Sequence, residues 1–188
     1  MDAINSLELK DIIQNSDHPG PPEDRRYLPT SVFLLLYNKP GLHMLAIQKS
    51  DNIGYPWRNQ VALPGGHVEE NDDGNLGAAF RELKEELDIS KNQIEYIGSI
   101  GHFQTINYRD IEVFTGIWRE RNTVKYDQKE ISRVLEIPLR GLVQTHKGRY
   151  FHGWMPDIEY LEYPFKDVVI WGVTAKILHH FIELFFES

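Results

Sequence analysis

The chain has no cysteine. Disulfides, thiol nucleophiles and cysteine-ligated zinc are therefore excluded. It also lacks any run approaching the roughly 20 apolar residues that a helix needs to cross a bilayer. Positive charge is in the minority: 20 lysines and arginines face 28 aspartates and glutamates, for a formal net charge of −8. That sign argues against a broad nucleic-acid or membrane-surface footprint. Small phosphorylated substrates stay open, because a bound cation reverses the local sign of an acidic cleft. Met1 to Ser6 offers no basic n-region and no apolar h-region, which argues against a secretory signal. Together these absences point to the cytoplasm.

What is present suits one substantial core, since 188 residues are long for one small domain and short for two. Residues 1–25 read as a short helix, Leu7 to Ile13, followed by a Pro/Gly-rich linker, His18-Pro19-Gly20-Pro21-Pro22. Residues 26–188 read as the main domain. Strands are expected at Ser31 to Tyr37, His43 to Gln48, Val61 to Leu63, Ile94 to Phe103, Ile111 to Trp118 and Val134 to Ile137. Tyr150 to Trp154 and Tyr160 to Phe165 also read as short extended segments. One helix is expected from Leu76 to Leu87 with Asn75 as its N-cap, and another from Trp171 to Phe186. Strands interleaved with two good helices point to an α/β or α+β layer sandwich.

The segment from Gly65 to Ile89 is the most informative. Leu76, Ala79, Phe80, Leu83 and Leu87 recur at helical spacing as a buried stripe. On the same helix Glu82, Glu85 and Glu86 fall within an arc of roughly 100°. Glu82 and Glu86, at i and i+4, disfavour each other unless something positive lies between them. Such a face can bring up to three carboxylates to one point, which suits magnesium, an ion commonly shared between a few carboxylates and substrate phosphates. Gly65 and Gly66 just upstream let backbone approach closely, since no Cβ intervenes.

These residues resemble the Nudix box of the Nudix hydrolase family: glycine, five residues, glutamate, seven residues, then Arg-Glu-apolar-x-Glu-Glu-x-Gly-apolar. Arg81-Glu82-Leu83-Lys84-Glu85-Glu86-Leu87-Asp88-Ile89 fits, with Asp88 in place of the last glycine. Upstream, Asp72 takes the place of the first glutamate and the spacer is one residue longer. That variant resembles the coenzyme A diphosphatase branch. Asn59 to Gly66, Glu130 to Leu139 and Ile170 to Leu178 are similar to further segments of that branch. Two features depart from it: Lys49 stands where arginine is usual, and Asp51 to Asn59 is spaced differently around Arg58. Lysine lacks the planar fork that grips phosphate bidentately.

The resemblance implies an α/β/α sandwich with a mixed, mainly antiparallel curved sheet between helices. It implies a metal-dependent hydrolase, using Mg²⁺ or Mn²⁺, that cleaves the diphosphate bond of a small-molecule nucleoside diphosphate derivative. Coenzyme A or an acyl-coenzyme A is the first-choice substrate; ADP-ribose, a nucleoside diphosphate sugar or a dinucleotide is the runner-up. Metal ligands are expected at Glu82, Glu86, Glu85 and Gly66. Catalytic residues are expected among Glu85, Glu86, Glu130 and Arg81, with Glu85 and Glu130 as candidate general bases. Arg81 is expected to position a carboxylate by pairing with Asp72. Lys49, Arg58, Gly65 and Gly66 are the candidate substrate contacts. His146, Lys147 and Arg149 could meet phosphates, and Tyr55, Trp57, Phe103 and Trp154 could stack on a base, although each cation taken singly reads more readily as a solvated surface charge and each aromatic as packing. The family often forms dimers, which extends to this chain as a homodimer; no nucleic-acid or membrane partner is expected.

Two other classes fit the sequence less well. A Nudix-like ligand-binding module without turnover commonly loses box glutamates, whereas this chain keeps all three. An isopentenyl diphosphate isomerase shares the fold but needs a catalytic cysteine, which is absent.

Overall fold

A computed structural model describes residues 5–51, 58–119 and 123–185. Strands β1 (Leu28–Asn38) and β2 (Leu42–Lys49) form a hairpin through the turn at Lys39 to Gly41. Two short strands follow, β3 (Val61–Ala62) and β4 (Gly65–His67), then helix α2 (Gly74–Leu87), preceded in the chain by α1 (Ser6–Asn15). A second hairpin, β5 (Ile94–Gln104) and β6 (Arg109–Trp118), leads to β7 (Ile131–Pro138) and helix α3 (Leu139–Gly148). The small hairpin β8 (Tyr163–Phe165) and β9 (Val168–Ile170) precedes the last helix, α4 (Gly172–Glu183).

Seven of these strands make one mixed sheet with the path β3-β2-β1-β6-β5, in which only β1 and β6 run parallel. β7 lies on the free edge of β2. β1 and β2 pair only from Leu35/Leu45 to Asn38/Leu42 and then diverge. The chain from Val61 to His67 fills that wedge: β3 pairs with β2 at Ile47 and Gln48, and β4 pairs with β1 at Thr30 to Val32. The glycine pair thus enters at a split in the sheet.

Side chains alternate across a strand, and β1 shows it clearly. Phe33, Leu35 and Tyr37 face one layer, with Leu45, Ile47, Phe114 and the α2 residues Ala79, Phe80, Leu83 and Leu87. Val32, Leu34 and Leu36 face the other, with Leu9 and Ile13 of α1, Leu142 of α3 and Ile177, Leu178, Phe181 and Ile182 of α4. The result is the expected helix–sheet–helix sandwich. Leu83 is fully buried, so its truncation to alanine would cost about 3 kcal/mol in lost burial and cavity. The N-terminal segment lies against the sheet: Ile13 touches the space above Gly98, and Pro19 accepts a backbone hydrogen bond from His102.

Four sequence expectations need correction. α2 begins at Gly74 with Asp73 at the N-cap position, and Asn75 sits inside the first turn, where its amide donates to Glu112 Oε2 (2.7 Å) instead of capping. The helix α3 was not anticipated. Tyr150 to Trp154 forms no strand; its backbone turns at Tyr150 (φ 57°) and Gly153 (φ 78°). β8 starts only at Tyr163. The remaining strand expectations coincide with observed strands to within a few residues at each end.

α2 ends on Asp88 in the left-handed conformation (φ 55°, ψ 28°). This is the position at which the family pattern has glycine, and aspartate is among the few other residues that visit that region readily. Its carboxylate gains the ammonium groups of Lys84 and Lys125. The departure from the pattern therefore keeps the same helix end.

Candidate active site

The box lines the wedge between β1 and β2, roofed by α2. Lys49 continues the row Leu45, Ile47 that faces α2, at the point where β2 meets an irregularity in β7: Gln48 pairs with Arg133 and Lys49 with Ile131, leaving Ser132 extra. The Ser132 hydroxyl donates to the Gln48 carbonyl (3.1 Å) and so anchors the bulge. Lys49 Nζ then reaches Glu86 Oε1 at 2.8 Å, and the Gly65 N–H donates to Glu86 Oε2 at 2.9 Å. The Glu86 side chain is only 7% exposed, yet both its oxygens are satisfied.

Across the wedge, Gly66 pairs with Ser31 and lies directly under Glu82. A Cβ at Gly66 would stand 2.3 Å from Glu82 Oε1, so only glycine leaves room for that carboxylate. Gly65 has φ 147°, and a Cβ there would meet the Ser31 carbonyl oxygen at 2.2 Å. The two glycines thus serve different ends: one admits backbone, the other a carboxylate.

Arg81 ties the near side together. Its Nε and Nη2 donate to the two oxygens of Asp72 (2.9 and 3.0 Å), and Nη2 also donates to the His67 carbonyl (2.8 Å). Nη1 reaches Glu82 Oε1 (2.9 Å) and Glu85 Oε2 (3.0 Å). Hydrogen bonds to Asp72 first, and then to the glutamates, raise the already high Arg81 pKa, so the guanidinium stays charged throughout. Burial pushes the Glu82 carboxyl up, opposed by Arg81. The repulsion expected between Glu82 and Glu86 is answered separately, by Arg81 on one and Lys49 on the other.

The carboxylates do not all converge. Glu82 and Glu86 turn inward over the glycines, whereas Glu85 turns toward Arg81 with its side chain 58% exposed. Among the described residues no group of three His, Asp or Glu side chains is arranged as a ready metal cage. The pair Glu82 and Glu86 is what the fold presents, and one or two carboxylates completed by water and phosphate are an ordinary magnesium donor set.

The remaining expected residues are spread more widely. Glu130 is exposed; its carbonyl accepts the Ser50 N–H (2.9 Å), which places its loop beside the end of β2. Arg58 is an exposed residue 4.0 Å from Asp51. Tyr55 and Trp57 lie outside the described residues. His146 is not a surface charge: it is fully buried, with Nδ1 2.8 Å from the Tyr163 hydroxyl and Nε2 2.7 Å from Glu183 Oε1. Phe103 is core, and Trp154 is exposed with its indole N–H on the Tyr150 carbonyl.

A polar row under the start of α2 was missed. Glu112 lies beside Ser31 in the sheet and opposite His102. His102 Nδ1 is 2.8 Å from Asp110 Oδ2, and Gln104 donates to Asp110 Oδ1. The Ser31 hydroxyl is buried with no hydrogen-bond partner among the described residues. The alternation His102, Gln104 and Asp110, Glu112 at the facing ends of these two strands was the available signal.

The fold and the box on α2 together define a Nudix hydrolase, an enzyme acting on diphosphate bonds. Residues 27–172 match the NUDIX domain model, and the chain belongs to that family. It is 26% identical over 181 residues to Nudix hydrolase NudL of Escherichia coli, covering 92% of each chain. The MutT protein of Methanosarcina mazei Go1 has a similar structure, with a TM-score of 0.56 at 13% identity over 93% of this chain and all (100%) of that one. A C. elegans Ap4A hydrolase aligns with a TM-score of 0.51 at 18% identity, over 62% of this chain and 84% of its own.

Proposed function

We propose that the chain is a Mg²⁺- or Mn²⁺-dependent diphosphatase acting on a nucleoside diphosphate derivative, with coenzyme A or an acyl-coenzyme A as first-choice substrate. The observation that carries the reading is the pair of inward carboxylates, Glu82 over Gly66 and Glu86 over Gly65, each already balanced by one cationic side chain. That donor chemistry fits a hard divalent ion, and the missing Cβ at Gly66 is what lets the Glu82 carboxylate lie over the strand. When bound, the ion neutralises phosphate charge and lowers the pKa of coordinated water.

The protein's own groups divide the remaining work. Glu82 and Glu86 would hold the ion, with the Gly66 backbone close beside them. Arg81 fixes the Glu82 carboxylate and ties it to Asp72, so it acts as a positioning residue. Glu85, exposed at the rim and held by Arg81 through one oxygen, is the first candidate to take a proton from the attacking water; Glu130 is the second. Lys49 and Arg58 are the cations available to phosphate. The first-choice substrate rests on the similarity of Asn59–Gly66 and Ile170–Leu178 to the coenzyme A branch. Among the described residues no helix is long and apolar enough to cross a membrane; a cytoplasmic location and a homodimer are part of the same proposal.

The test is a hydrolysis panel with Mg²⁺ and with Mn²⁺: coenzyme A, acetyl-coenzyme A, ADP-ribose, diadenosine polyphosphates and nucleoside diphosphate sugars. Release of 4′-phosphopantetheine and adenosine 3′,5′-bisphosphate from coenzyme A supports the first choice. Faster turnover of another member moves the substrate and keeps the chemistry. Binding without hydrolysis of any would favour a ligand-binding module.

A further inference from the structure

Glu86 is nearly out of water, and an unpaired carboxylate there would be costly. One of its oxygens is spent on the Gly65 N–H and the other on Lys49 Nζ. An ammonium group has three donors and no acceptor, and it repels a divalent ion at close range. Lys49 and a metal ion therefore compete for Glu86 Oε1. The lysine can yield, because its ammonium sits on a flexible four-carbon stem that can carry it off Glu86 without moving the backbone. An arginine, whose rigid planar fork can engage both carboxylate oxygens, would yield less readily.

We propose that Lys49 is a displaceable counter-cation. Without a divalent ion its ammonium balances Glu86; when the ion arrives, Lys49 swings to the oxygens of the substrate's diphosphate. The displaced charge needs an anion, and the diphosphate is the one the site would hold. Metal and diphosphate then bind cooperatively, each raising the affinity of the other by the same factor. This inference rests on Glu86 being a metal ligand, as proposed above.

The experiment measures Mn²⁺ binding to the whole chain by calorimetry and by electron paramagnetic resonance, with and without α,β-methylene-ADP as a non-hydrolysed diphosphate. For the unaltered chain the analogue should tighten Mn²⁺ binding at least about fivefold, within the usual range of coupling between sites. Lys49→Met should bind Mn²⁺ about tenfold more tightly without the analogue and lose most of the coupling. Lys49→Arg should bind Mn²⁺ more weakly than Lys49→Met. If Glu86→Gln weakens Mn²⁺ binding but Lys49→Met leaves it unchanged or weaker, the counter-cation is refuted and the metal site stands. If Glu86→Gln leaves Mn²⁺ binding unchanged, both readings fail. Should Lys49→Met not fold, the unaltered chain still decides, because an absence of coupling between Mn²⁺ and the analogue overturns the proposal.

Discussion

Arg81 and Asp72, nine positions apart in the chain, meet through two parallel hydrogen bonds, Nε to Oδ1 and Nη2 to Oδ2. The pair staples the loop between β4 and α2 to the helix that carries the glutamates. Within this loop the Glu69 N–H also donates to Asp72 Oδ2 (2.8 Å).

The staple has a pH signature. Arg81, by hydrogen bonding, holds the Asp72 carboxyl below the usual carboxylate range. A carboxyl lowered by folding contributes stability that is complete above its unfolded value of about 3.9 and is lost as pH falls through the folded value. Asp72→Asn should therefore lower the melting temperature at pH 7, and its gap from the unaltered chain should close below about pH 4. A gap that is constant from pH 7 to pH 3 would refute the charged pairing.

Glu86→Gln should leave the far-ultraviolet circular dichroism unchanged while cutting turnover by about 100- to 1,000-fold, the range typical when one group that stabilises transition-state charge is removed. Glutamine still accepts from Gly65 N–H, so the loss would report charge and not shape. Unchanged turnover with Mg²⁺ present would dismiss the metal-site reading.

The adjacent glycines should separate stability from catalysis. Gly65→Ala places a Cβ against the Ser31 carbonyl at a positive φ, and should destabilise by about 2–3 kcal/mol in denaturant titration. Gly66→Ala collides with the end of a flexible glutamate side chain, which can swing away. It should unfold near the unaltered chain and lose most of its turnover. Equal loss of stability in both would show that Gly66 serves backbone geometry alone.

The parts of this site that were legible in the sequence are those encoded locally. The α2 stripe, the glutamate face and the pairing of Arg81 with Asp72 follow from spacing within 25 residues. The link between Lys49 and Glu86 does not, because it depends on the β1–β2 divergence and on a bulge in β7 far along the chain. α3 was hidden by Pro138, which reads as a strand end, and by Gly141 and Gly148, which weaken a helical pattern. Leu139, Leu142, Val143 and His146 nonetheless recur at i, i+3, i+4 and i+7. β4 carries no side-chain alternation at all, since two of its three residues are glycine. His146 looked like surface because a polar residue gives no local sign of burial; Tyr163 and Glu183, 17 and 37 positions away, are what admit it to the core.

The layer opposite the active site carries its own pH dependence. His180 on α4 has Nε2 3.0 Å from His18 Nδ1, and its ring lies 5.6 Å from that of Phe103. Burial first, and then the neighbouring histidines, bring its pKa down to about 4. Below its unfolded value of about 6.5 the unfolded chain takes up a proton that the folded chain refuses, so stability falls as pH drops from there toward 4. Allowing for its partial exposure, this contributes a loss of about 2 kcal/mol across that window. His180→Phe keeps a ring against Phe103 and removes the titration. In denaturant titrations at pH 7 and pH 4.5, the variant should lose less stability on acidification than the unaltered chain. Some slope should remain from His146, which burial also holds low. An identical slope in both proteins would mean that His180 is protonated in the folded state and that its contact with His18 tolerates the charge.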